Sequence, residues 1–224
     1  MIAVASIEDL LFQIANALRV PVFVAALAAL IFVLFDLGTF SVELSRRRRR
    51  PGFRSLEQGA RTARTALEED DRPTAVRALL SLASSGAMAE ALSQLAGLWG
   101  RPNADDRMAK TLADFDLGSL RRLERSRMLV RFGPALGLMG TLIPLSPALA
   151  GLAKGNVKQL SDNLRVAFSV TVLGLLIGAV AFTISLVRDR LYAQDLSDLE
   201  FVATELGQGD PGFVTTELAQ EDIR

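Results

Sequence analysis

The sequence predicts an all-α integral membrane protein with three transmembrane helices and a helical cytoplasmic domain. Three observations lead there. The chain contains three separate apolar runs, each of about twenty residues and so long enough to cross a bilayer core as a helix. Strand-like alternation of useful length is missing. Arginine clusters flank the apolar runs on one side and are sparse on the other.

Half of the 224 residues are hydrophobic while 22% are charged, and the mean hydropathy is +0.30, so apolar residues must be concentrated in blocks. A formal net charge of zero hides local asymmetry. Arginines 46–50 form one basic block, and Arg121, Arg122, Arg125, Arg127 and Arg131 form another. Neither block by itself argues for nucleic acid, and no nucleic-acid partner is expected. The chain has no Cys and no His, which excludes disulfides, thiol nucleophiles, thiolate metal sites and imidazole acid–base chemistry. No nucleophile–base pair, metal-ligand spacing or phosphate-binding glycine loop stands out. The expectation is therefore no enzyme, no cofactor and no metal.

Residues 1–19 lack a basic lead-in and a small-residue cleavage site, so the first apolar helix is expected to stay in the mature chain. Here Ser6 and Asp9 fit a capping box, and Ile7, Leu10, Leu11, Ile14 and Leu18 recur at helical spacing. This pattern predicts an amphipathic helix on the outer surface; it equally fits an ordinary start to the first span.

The first span is 20–40, the second 132–152 and the third 166–187. Only a helix satisfies its own backbone in lipid, which is why such runs are read as helices. Five arginines follow the first span, Arg127 and Arg131 precede the second, and Arg188 and Arg190 follow the third. The positive-inside bias places those flanks in the cytoplasm. The opposite flanks carry Arg19, Lys154, Lys158 and Arg165, so the N-terminus is expected outside and the C-terminus inside. Arginines 46–50 then read as a topology anchor ahead of a binding motif.

Residues 41–131 are expected to form the cytoplasmic helical domain, with helices near 56–69, 74–84, 87–99 and 105–130, punctuated by Arg72-Pro73 and Gly100-Arg101-Pro102-Asn103. Residues 153–165 are the outer loop. A further helix over 189–206 carries the chain into a cytoplasmic tail, 188–224, broken by Gly and Pro at 207–212.

The second and third spans carry stripes of small residues. In the third, Ala167, Thr171, Gly174, Gly178, Ala181 and Ser185 follow at steps of three and four; in the second, Gly133, Gly137, Gly140, Thr141, Pro144, Ala148 and Gly151 form a similar stripe. Such stripes permit close helix packing or line a narrow pore, and a Thr on one of them can simply bond its own backbone. Pro144 and Pro147 are expected to bend the second span. The interiors of both spans hold no Asp, Glu, Lys, Arg or His, so this chain cannot titrate a proton at mid-membrane alone. Asp36 is the one acid inside any span, and it lies near the inner end, where it reads as interfacial or cap-like ahead of a proton carrier.

The run Gly137-Leu138-Met139-Gly140-Thr141-Leu142-Ile143 resembles the LGLLGTVxG signature of the MotA/TolQ/ExbB proton channel family, and Thr171-Val172-Leu173-Gly174-Leu175 is similar to the TxxGL signature of that family's third span. The order of spans and insertion matches as well, most specifically over 120–200. The resemblance implies a homo-oligomeric ring, generally a pentamer, around a single-span MotB/TolR/ExbD-like partner whose transmembrane Asp carries the proton. It implies that Thr141 and Thr171 line the pore. It also implies that Gly137, Gly140 and Gly174, with Gly133, Gly178 and Pro144 on the same stripes, serve helix packing. The ExbB and TolQ branches place a Glu five residues before the third-span Thr, where this chain has Val166; MotA-like members also lack that acid. Ser169 is a polar substitute for it, or a packing residue. The competing function is a passive oligomeric membrane scaffold that recruits proteins or anionic lipids through its basic cytoplasmic domain.

Overall fold

The computed structural model describes residues 2–47 and 52–208. Arginines 48–50 and the tail beyond 208, including most of the expected Gly/Pro break, lie outside the described residues. Within them the chain is helical throughout, as α1 (Ile2–Ala17), α2 (Arg19–Arg47), α3 (Phe53–Glu68), α4 (Arg72–Leu82), α5 (Gly86–Leu98), α6 (Ala104–Ala153) and α7 (Val157–Gly207). The helices group into two compact units, the first made of residues 1–40 and 123–186, the second of 41–122 and 187–224.

In the first unit, α1 begins at Ile2, so Ser6 stands inside the helix and not at its cap. The apolar residues ahead of Ser6 favour helix and extend it toward the N-terminus. Leu18 alone separates α1 from α2, and its N–H still reaches the Ile14 carbonyl at 3.1 Å. Among the described residues three helices are long and apolar enough to cross a membrane, the first of them within the continuous stretch Phe12–Ser45. Only 17, 28 and 39% of their most apolar stretches is buried inside the chain. Phe35, Leu142, Phe168 and Val172 are among the large apolar side chains left exposed. A surface of this kind needs lipid or other apolar chains against it.

The centre of this unit is small: Val33 of α2 packs with Ile177 and Ala181 of α7, flanked by Leu129 and Val130 of α6. Polar ties hold α2 at two levels. Arg19 donates from Nη2 to Asn163 Oδ1 at 3.3 Å, and Ser126 donates from Oγ to Asp36 Oδ2 at 2.8 Å. Because 19 meets 163 and 33 meets 177, α2 runs parallel to α7, while α6 is antiparallel to both.

The turn between α6 and α7 is only three residues, 154–156. Gly155 adopts a φ of 76°, and the Asn156 N–H bonds back to the Gly151 carbonyl at 2.9 Å, which closes α6 in a Schellman arrangement. Asn156 then caps α7 by accepting the Gln159 N–H at 3.0 Å. Most of the expected outer loop, 153–165, is therefore helix. Pro134, Pro144 and Pro147 all lie inside α6, which continues past each of them.

The second unit has a conventional apolar core. Leu56, Ala60, Ala63 and Leu67 form the buried stripe of α3, and Leu79, Met88, Leu92, Leu95, Leu199, Val202 and Leu206 are fully enclosed. Each buried Leu removed from water contributes roughly 1.5–3 kcal/mol. The N-caps fix where α4 and α5 start. Asp71 accepts the Thr74 N–H at 3.1 Å, and Ser85 accepts the Met88 N–H at 3.2 Å. Hydrogen bonds from Thr74, with help from Arg77, hold the Asp71 carboxyl below the usual range.

Candidate functional site

The stripes of small residues on α6 and α7 face each other. A Cβ placed on Gly133 would lie 2.8 Å from the Gly174 carbonyl oxygen and 2.8 Å from the Gly178 nitrogen. One on Gly137 would sit 3.3 Å from the Thr171 carbonyl oxygen, and one on Gly140 would overlap the Val170 side chain. From the other side, a Cβ on Gly174 would meet Gly133 O at 2.5 Å and Gly137 Cα at 2.7 Å, and one on Gly178 would meet Pro134 Cδ at 2.9 Å. A side chain at Gly133 or Gly174 would force the backbones apart, whereas one at Gly140 or Gly178 would meet the Val170 or Pro134 side chain. Gly133 and Gly174 instead let the two helices make backbone-to-backbone contact, the usual means of tight packing where lipid offers no hydrophobic drive.

Thr171 lies in this seam, half-buried, its Oγ1 3.3 Å from the Gly137 carbonyl oxygen and 3.1 Å from that of Ala167. Thr141, also half-buried, donates from Oγ1 to the Leu138 carbonyl at 2.7 Å. Each hydroxyl spends its proton on a helix carbonyl and keeps lone pairs that can accept from water or a protonated acid. Neither can titrate. Pro144 is buried on the same face as Thr141. Ser169 bonds the Arg165 carbonyl at 2.9 Å on an exposed surface, and Val166 is also exposed. Asp36 is half-buried beneath Ser126, which is itself 0% exposed.

A second polar cluster, in the other unit, was not singled out from the sequence. Arg47 reaches Asp195 through both terminal nitrogens, Nη1 to Oδ1 at 2.9 Å and Nη2 to Oδ2 at 2.8 Å, and Ser84 Oγ donates to Oδ1 at 2.6 Å. Asp195 is 0% exposed. Glu43 bridges onward, with Oε1 3.2 Å from Arg47 Nη2 and Oε2 3.2 Å from Arg188 Nε. The Arg47 guanidinium also lies over the Tyr192 ring, 5.6 Å from its centroid. Two arginines and two carboxylates balance one another, which makes their burial tolerable. Burial first, and the Glu43 carboxylate second, push the Tyr192 phenol above its ordinary value. The signal in the sequence was an acid on an otherwise buried stripe: Tyr192, Asp195, Leu199, Val202 and Leu206 recur at steps of three and four.

Among the described residues no cluster of His, Cys, Asp or Glu could hold a metal ion. No curated protein matches the sequence. Residues 102–200, which contain the whole α6–α7 seam and both threonines, match the model of the MotA/TolQ/ExbB proton channel family.

Proposed function

We propose that the protein is the ring-forming channel subunit of an ion-motive-force-driven motor complex, coupling proton flow past a partner-subunit Asp to mechanical work. The observation that carries this reading is the family match over 102–200, together with the lack of any acid, base or imidazole in 132–152 and 166–187. A proton relay through lipid requires ionisable groups, so the carboxylate comes from elsewhere, from a single-span ExbD/TolR/MotB-like partner. Several copies of this chain, five by analogy with the family, surround that partner. The large exposed apolar surface of the first unit supports assembly, since lipid and neighbouring copies both cover such a surface. Thr141 and Thr171 hydrate the route and accept hydrogen bonds from the protonated carboxyl. In this reading the N-terminus is outside the inner membrane, the segment 41–131 and the C-terminus are cytoplasmic, and the chain performs no covalent chemistry.

The test is proton flux through the purified complex, partner included, with Thr141→Val and Thr171→Val. Val keeps the volume and removes the hydroxyl. Loss of one polar contact to the moving acid lowers flux about tenfold while the complex still purifies intact. Undiminished flux in the double variant removes both residues from the pore.

A passive oligomeric scaffold is the second reading, and one observation favours it: the Thr171 hydroxyl lies within hydrogen-bonding distance of two backbone carbonyls, and the glycines are occupied in packing within the chain. The scaffold tolerates both Val substitutions and carries no flux. It fails on bulky residues at Gly137 or Gly174.

A further inference from the structure

On α6, just where the arginine-rich segment gives way to the second span, Glu124, Arg127, Met128, Arg131, Phe132 and Ala135 line an open cavity of about 660 Å³. Their spacing by steps of three and one puts them on a single helix face. The chemistry along that face changes in order. Arg127 and Arg131 are one turn apart, and five arginines against one glutamate occupy 121–131. Beside and beyond them, Met128 and Phe132 are each 58% exposed, and Ala135 keeps the wall low.

We propose that this cavity binds one anionic phospholipid. Two guanidinium groups at i and i+4 bracket a phosphate; each carries five N–H donors, so Arg127 can serve a phosphate while it keeps a partner within the chain. The acyl chains descend over Met128, Phe132 and Ala135, apolar side chains that otherwise face outward. From Arg127 to Ala135 the helix rises about 12 Å, which matches a headgroup and the first part of an acyl chain. Glu124 lies at the end remote from the apolar residues, where it disfavours a second phosphate and sets the direction of the lipid. Basic pockets on membrane-entering helices recognise acidic headgroups in this manner. The site rests on the reading that α6 enters a bilayer, which its length and apolarity and the family match over 102–200 support; it does not require that the assembly conduct protons.

Native mass spectrometry of the full-length complex, released from detergent with phosphatidylglycerol or phosphatidylcholine of identical chains, tests it. The wild type is expected to retain phosphatidylglycerol about tenfold better, as two arginines at the membrane surface suggest. Arg127→Gln/Arg131→Gln is expected to lose that preference, while Arg165→Gln keeps it. Phe132→Ala weakens both lipids together. Equal retention of the two lipids by the wild type, or an unchanged preference in the double variant, overturns the site. So does displacement of phosphatidylglycerol by inorganic phosphate alone, which would make this a free-anion site. Disulfide crosslinking between copies through Met128→Cys and Ala135→Cys, with no lipid retained, overturns it too by making the face a contact between copies. Proton flux measured on the same samples reports separately on the channel.

Discussion

Gly133 and Gly174 touch through their backbones, each so close that a methyl group on either would sit within 2.8 Å of the other's carbonyl oxygen. Gly174→Ala is expected to cost about 1–3 kcal/mol, the usual penalty for overpacking, and to lower the melting temperature in detergent by several degrees. Gly118 supplies the control, being in the same helix as Gly133 with nothing within 4 Å of a new Cβ. Gly118→Ala is expected to gain about 0.5–1 kcal/mol from the lower entropy of the unfolded chain. Equal melting temperatures for the two variants would contradict the close contact.

Asp195→Asn removes the fully buried carboxylate from Arg47 and leaves Glu43, shared with Arg188, as its remaining counter-charge, so the loss is expected at the lower end of the range for breaking a buried pair, about 3 kcal/mol. Ser84→Ala removes one neutral donor from the same carboxylate and is expected to cost about 1 kcal/mol. Replacing both charges, as Arg47→Met/Asp195→Leu, is expected to harm less than either single change. Thermal melting of Asp195→Asn, Ser84→Ala, Arg47→Met, Asp195→Leu and the double variant against the wild type measures this. A double variant less stable than Arg47→Met or Asp195→Leu alone would contradict the account.

Tyr192 is the chain's one tyrosine, so its phenolate absorbance can be titrated without interference. Its raised value means that the folded state holds the phenolic proton more tightly than the unfolded state. The associated stability is fully present below the ordinary value of about 10 and is lost as pH rises through the folded value. The midpoint is expected above the ordinary value in the folded protein and at it in denaturant. Tyr192→Phe is expected to flatten the alkaline loss of stability. A folded midpoint at the denatured value would remove burial as the cause.

The lack of native cysteine makes topology simple to map. A Cys at Asn156, exposed in the turn between α6 and α7, is expected to react with an impermeant maleimide on intact cells. One at Gly86, exposed at the start of α5, is expected to react only after lysis. The reverse pattern inverts the orientation drawn from the arginines.

Copy number is expected to be five. Native mass spectra in mild detergent that contain monomers alone, across a concentration series, would count against a closed ring.

Much of the architecture was legible because long apolar runs and helix breaks are local signals. About twenty mostly apolar residues in a row, Arg72-Pro73 and the break at 100–103 each act over a turn or two, whereas the capping box read at Ser6 falls inside α1. Hydropathy, however, changes along a helix without interrupting it, which is why 105–130 and 132–152 read as separate pieces although α6 runs unbroken from Ala104 to Ala153. The short turn at Gly155-Asn156 was readable as a helix stop followed by a cap, but polar residues such as Lys158 and Gln159 made the surrounding segment look like loop. Partners distant in sequence left weaker traces. The periodicity of each glycine stripe is visible, whereas the fact that Gly133 meets Gly174 requires the crossing of two helices. Arg47 and Asp195, 148 residues apart, are joined only by the fold.

Meshed backbones have a kinematic consequence. Helices separated by full side chains can slide past one another in small increments as rotamers readjust, but where Gly133 and Gly137 meet Gly174 the α6 and α7 backbones have little compliant material between them. A slip that brought a side-chain-bearing residue opposite Gly133 or Gly174 would meet backbone within 3 Å, and the stripe next repeats one helical turn away, about 5.4 Å. The segments on either side of the three-residue turn thus form a stiff hairpin. If the chain works as proposed, in a motor complex, a stroke transmitted through this hairpin would arrive as rotation or tilt of the pair, with the loss of motion to internal shear kept small.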